Sequence, residues 1–110
     1  MRTLKFIVDG QVIKPDPSCN FDGLIPGSEG YLQAEFTLSD EWQGFAVVAS
    51  FWSMMGVEYP PAIVKKDRTC TIPVEALKRR RFKIKLIGQS KSGERLQTNK
   101  LVIYQNGGEL

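Results

Sequence analysis

Apolar and polar residues alternate with a period of two through most of this chain, the pattern of half-buried strands. It is cleanest from Tyr31 to Leu38, where Leu32, Ala34, Phe36 and Leu38 share one face and Tyr31, Gln33, Glu35 and Thr37 take the other. The same period returns at Phe82: Phe82, Ile84 and Leu86 point inward, while Arg81, Lys83 and Lys85 point outward. Leu4 to Lys14 reads as a hairpin, because Asp9 and Gly10 supply the two positive-φ positions of a tight turn. Pro15 and Pro17 end its second strand, since neither can donate to a ladder. Residues 15 to 30 hold three prolines and three glycines. They form a long connection, expected to be pinned to the body by Cys19, Phe21, Leu24 and Ile25.

The segment from Phe45 to Met55 breaks the alternation by being apolar on both sides. Phe45, Val47, Ala49 and Phe51 lie on one face; Ala46, Val48, Trp52 and Met54 lie on the other. A strand apolar on both faces is buried on both. Its second face therefore needs a cover, either residues 15 to 30 or another chain. Upstream, Ser39 to Trp42 reads as a turn, Gly44 lets the chain reverse, and Trp42 reads as a core plug closing one end of the body. Downstream, Pro60 and Pro61 break the ladder before a short strand from Ala62 to Lys65. A turn at Lys65 to Arg68 then leads to a strand from Thr69 to Ile72. Pro73 suits a first helical position, so Val74 to Arg79 is expected to form one or two helical turns. Gly88 to Gly93 reads as a polar turn, and Arg95 to Tyr104 as the last strand. Its phase slips between Leu96 and Leu101, which predicts a bulge near Asn99. Residues 105 to 110 read as a frayed tail.

About seven to eight short strands, with one short helical turn near residues 73–79, make this an all-β chain. The spacing points to an immunoglobulin-like β-sandwich or a small barrel. At 110 residues it is a single β-sandwich domain spanning 1–110, with room for one core and not two.

The sequence contains no histidine, the commonest general acid/base and metal ligand. No serine sits in a nucleophile elbow, and no phosphate-binding glycine motif occurs. No catalytic residue and no cofactor are expected, and the chain does not read as an enzyme. Cys19 and Cys70 stand far apart without histidine companions, so no metal site is expected either. They read as reduced thiols, since a cytoplasmic redox state opposes a disulfide between them. No apolar run approaches the roughly 20 residues of a membrane helix, and Leu4 to Val8 is too short for a signal-peptide core. Synthesis in the cytoplasm, with no membrane partner, is the expectation.

The formal charge is +3. Much of it comes from Lys78, Arg79, Arg80, Arg81, Lys83 and Lys85. One reading is a solvated strand edge that discourages aggregation; the other is phosphate contact. Phe82 falls on the face opposite these cations, so no stacking ring interleaves with them, and the sequence argues against nucleic acid as a partner. Met and aromatic residues are enriched in interface cores. Trp52, Met54, Met55 and Tyr59 are accordingly the expected contact surface, with Arg79, Arg80 and Arg81 as rim charge.

Five features occur in a set order: Trp42 and Gly44 flanking Gln43; a strand ending in Ala49 and Phe51; Ile72, Pro73, Glu75 and Leu77; a strand from Phe82 to Gly88; and Thr98 in the last strand. Over roughly residues 31 to 104 this order resembles a module of phage and prophage structural proteins. That module is the immunoglobulin-like, baseplate-upper-protein-type N-terminal domain of phages infecting Gram-positive bacteria. The whole chain is also similar to small prophage proteins of such bacteria. The resemblance implies a β-sandwich that decorates or attaches to a virion component of head, tail or baseplate. It implies contact with phage structural proteins or with further copies of itself, and a place in the virion after synthesis in the host cytoplasm. Two other functions fit a short chain without catalytic residues: an inhibitor of a host defence system or host enzyme, and a nucleic-acid-binding accessory protein.

Overall fold

The inward rows marked by the period of two close on one another as two sheets. The structure, a computed structural model, describes residues 1–107. One layer is built from β1 (Arg2–Asp9), β2 (Val12–Pro15), β3 (Leu32–Leu38) and β6 (Thr69–Thr71), in the order β2-β1-β3-β6. The other holds β4 (Phe45–Trp52), β5 (Ala62–Ile63), β7 (Arg81–Ser90), β8 (Arg95–Gln97) and β9 (Leu101–Tyr104). Its order is β5-β4-β7-β8, and β9 also pairs with β7. A single helical turn, α1 (Val74–Leu77), follows Pro73 and joins the layers. Pairing β3 with β6 in one sheet, and β4 with β7 and β7 with β8 and β9 in the other, repeats the B–E and C–F–G arrangement of an immunoglobulin-like sandwich.

One pairing departs from that plan. β1 and β3 run parallel, in register from Arg2 opposite Leu32 to Val8 opposite Leu38. A parallel neighbour requires the chain to return to the end of the sheet from which it started. β2 and the proline- and glycine-rich stretch after it make that return. The connection is tied down along its length. The Phe21 ring meets Phe6 edge-on at 5.4 Å, and Leu24 is buried. The Gly27 amide donates to the Leu77 carbonyl at 2.8 Å, and Arg2 Nη2 donates to the carbonyls of Asn20 and Asp22 at 2.9 and 2.7 Å. Ile25, expected among the pins, is instead 57% exposed.

Inside, Phe6 stacks on Phe36 at 5.6 Å within the first sheet, and Phe51 meets Phe82 at 6.3 Å within the second. Full burial of each such ring contributes about 1.5–3 kcal/mol. Trp42 is fully buried at one end, as its position before a turn predicts. Its indole Nε1 donates to the Gly10 carbonyl at 2.9 Å, satisfying the one polar atom that burial would otherwise strand.

The last strand is cut in two, which raises the number of strands among the described residues to nine. Between β8 and β9, Thr98 keeps contact with β7: its Oγ1 accepts the Leu86 amide at 3.0 Å, and its own amide donates to the Leu86 carbonyl at 3.1 Å. Asn99 turns the other way, toward the first sheet. Its Oδ1 accepts the Ile13 amide at 2.8 Å, and its amide donates to the Gln11 carbonyl at 3.1 Å. The phase slip near Asn99 is thus a strand break that clips the two layers together. Beyond β9 the expected frayed tail is corrected over its first residues. Gln105 is fully buried, and the Gly107 amide donates to the Leu24 carbonyl at 2.9 Å. The remainder of that tail lies outside the described residues.

Candidate functional site

β4 runs past Trp52 into a hairpin whose return limb bridges Glu58 to Trp52, with the Tyr59 amide donating to the Phe51 carbonyl at 2.8 Å. Ser53 organises its tip. Ser53 Oγ accepts the amides of Met55 and Val57 at 3.2 and 2.9 Å, and the Ser53 amide donates to the Val57 carbonyl at 2.8 Å. Gly56 closes the turn at a φ of +88°, which an L side chain rarely adopts. The result is a fixed tip that holds Met55 91% and Val57 60% exposed, beside a partly exposed Met54. Scattered surface apolar residues are ordinary, but three neighbouring ones on an ordered turn form a patch.

Three arginines face this patch from the exit of α1. A buried residue holds their backbone: Gln105 Nε2 donates to the carbonyls of Leu77 and Arg79 at 3.0 and 2.9 Å, and the Gln105 amide donates to the Arg80 carbonyl at 2.6 Å. Carbonyls at a helix C-terminus lack intrahelical partners, and this side chain supplies one. Nothing in the primary sequence marks Gln105 for the task, because it stands among Asn and Gly residues that look like a loose end.

Between tip and arginines lies an open concavity of about 400 Å³ that gathers Met54, Met55, Tyr59, Arg79, Arg80 and Arg81, with Ser53 and Val57 completing its wall. Six of the seven residues expected at the contact surface therefore come together, although two strands and a helix separate Tyr59 from Arg79 in sequence. The Tyr59 hydroxyl is buried there without a hydrogen-bond partner among the described residues.

Trp52 stands apart from this group. Its side chain lies on the outer face of the second sheet, half-buried, with Lys100 Nζ 3.8 Å and Lys85 Nζ 5.6 Å from the ring centre. A cation over an indole face is attracted by the ring quadrupole. Within the chain, the Trp52 end of the outer face of β4 is therefore covered by these lysines and not by residues 15 to 30. Ser50, the polar residue in the middle of the row, is also covered, donating from Oγ to Glu58 Oε2 at 2.9 Å. Cross-strand register sets Trp52 opposite Lys83, and Arg81 opposite Tyr104. The cationic row of β7 thus does have aromatic neighbours on its own face.

Other titratable groups serve the framework. Burial pushes the Cys70 thiol up to about 12, so it stays a neutral apolar side chain facing the core opposite Ala34. Cys19 is half-buried, its sulfur 3.4 Å from the Lys5 amide. Hydrogen bonds from Ser18 hold the Asp16 carboxyl below its usual range, and those from Thr69 do the same for Asp67; each belongs to a turn. Among the described residues no three His, Cys, Asp or Glu side chains gather as a metal site.

Compared with protein-family models, with curated proteins and with solved structures, the chain matches none.

Proposed function

We propose that this protein is a non-enzymatic structural or accessory component of a phage virion, acting by protein–protein contact through the Ser53–Val57 tip and Arg79 to Arg81. The observation that carries the reading is the pairing of exposed Met55 and Val57, on a turn fixed by Ser53, with an arginine run fixed by Gln105. Met and Arg are both enriched at interfaces. Because backbone hydrogen bonds already order both limbs, little further ordering entropy opposes docking. A fitting partner presents an apolar side chain to the methionines and carboxylates to the arginines, and it is either another virion protein or a second copy of this chain. Placement in a virion is supported by the resemblance in the order of Trp42, Ala49, Ile72, Glu75 and Thr98 to phage structural modules.

The test combines location with a point substitution. Mass spectrometry of purified particles from the parent phage is expected to find the protein. Met55→Asp is expected to weaken its incorporation or self-association about tenfold, equivalent to about 1.4 kcal/mol. The same variant should melt with the wild type, since Met55 touches solvent and not the core. Presence in infected-cell lysate but absence from particles would instead assign the protein to host inhibition.

A further inference from the structure

We infer that the outer face of the second sheet binds single-stranded nucleic acid, with Trp52 as a stacking platform that Lys100 covers in the free protein. The surface shares only Arg81 with the methionine–arginine concavity, and the inference does not rest on the function proposed for that site. Its first ground is charge. The outward positions of β7 carry Arg81, Lys83 and Lys85, β8 adds Arg95, and Lys100 leans in from the break before β9. Glu58, which bridges to Trp52 beside this row, is already engaged by Ser50. Among the described residues none of these five cations pairs with a carboxylate. The outer face of the first sheet is balanced by comparison, with Lys5 and Lys14 set against Asp9 and Glu35. The charge is therefore gathered on one side of the molecule, not spread over it.

Spacing is the second ground. Same-face side chains along a strand recur about every 6.6 Å. Arg81, Lys83 and Lys85 accordingly form a straight track that a flexible phosphate backbone can follow.

The third ground is the ring. Sequence-independent single-strand binding combines a cationic track with aromatic faces on which bases stack. Trp52 lies beside Lys83 in register, and its accessible face is occupied by the Lys100 ammonium at 3.8 Å. Lys100 is itself exposed at the end of a flexible stem. A phosphate drawing that ammonium away leaves the indole free for a base. Tyr104, 55% exposed and opposite Arg81, offers a second ring on the same face. A duplex keeps its base faces hidden, and an acidic protein would use the cations while leaving the indole idle. Only an unpaired strand uses both.

Trp52 reports on the idea directly, because Trp42 is fully buried and out of reach of a ligand. The probes are an oligothymidylate and, as an acidic-protein control, polyglutamate. Titration with the oligothymidylate at low salt is expected to quench Trp52 emission, and polyglutamate is expected not to. Neutralising three phosphate contacts in the Lys83→Gln, Lys85→Gln, Lys100→Gln variant should lower the log–log salt slope of binding by about two. It should also weaken binding by about tenfold or more at low salt. Emission unchanged by the oligothymidylate overturns the inference, whether the strand fails to bind or binds elsewhere. A quench that polyglutamate reproduces overturns it in favour of an acidic protein partner, and so does a quench untouched by the triple variant. The wild-type titration alone decides the matter if the variant folds poorly.

Discussion

Gly88 is a small residue on which the largest side chain in the core depends. It lies on the inward row of β7, and a Cβ there would stand 2.9 Å from Trp42 Cζ3 and 3.2 Å from Phe45 Cβ. Neither ring can retreat, since Trp42 is held by its bond to the Gly10 carbonyl and packs against Phe45 at 6.3 Å. Gly88→Ala is expected to destabilise the fold by about 1–3 kcal/mol, the usual consequence of overpacking. The change should appear as a lower urea midpoint with an unchanged slope. An unchanged midpoint would show that the plug is looser than its packing indicates. The chain betrays only half of this contact. Trp42 is recognisable as a plug because a large aromatic sits beside a turn, whereas Gly88 reads as the start of a polar turn. β7 in fact continues through it to Ser90. A glycine carries no pattern of its own, and its meaning here comes from a ring supplied by a different strand.

At the scale of elements, the cut between β8 and β9 does more than bend a strand. β2 is an edge strand, and an open edge invites another strand to pair with it. Asn99 caps that edge from the opposite layer, with Oδ1 accepting the Ile13 amide. Asn99→Ala is expected to cost about 1–2 kcal/mol, because a half-buried amide then loses its acceptor. Hydrogen exchange should show the Ile13 amide losing protection while the β4–β7 ladder keeps it; uniform loss across both sheets would deny Asn99 this local role. Most elements are legible from periodicity, since alternation along Leu32 to Leu38 and Phe82 to Leu86 is a local property. The parallel pairing of β1 with β3 is not legible. Local pattern says which side of a strand is buried but not which strand lies beside it, and a hairpin start gives no hint of a parallel neighbour two strands later.

For the molecule as a whole, the distribution of charge matters more than its total. A net +3 is mild. Yet Lys85 and Lys100 converge on one indole, with Lys83 opposite it in register and no carboxylate partner for any of the three among the described residues, and their repulsion opposes folding. The cation–π contacts offset part of this, at about 0.5–1 kcal/mol each for exposed groups. Raising sodium chloride from low to near-physiological concentration should screen the repulsion and raise the melting temperature by a few degrees, corresponding to roughly 1 kcal/mol. The Lys83→Gln, Lys85→Gln variant should lose most of that salt response. An equal response in both proteins would place the repulsion elsewhere. Such a face is hard to foresee from the chain: the cations stand on β7 and after β8, and the ring on β4 joins them only once β4 and β7 pair.

By itself, the order of residues determined the sandwich class, the inward rows, the plug at Trp42, the slip near Asn99, and the kinds of side chain available for contact. These follow from alternation, turn chemistry and composition, each acting over a few neighbouring positions. Tertiary structure alone decided that Met55 and Arg79 share a concavity while Trp52 faces a lysine cluster, that Gln105 holds the arginine run, and that a proline-rich loop carries the chain to a parallel neighbour. Each of these depends on which distant segments become adjacent, and that choice is made by burying the whole core at once.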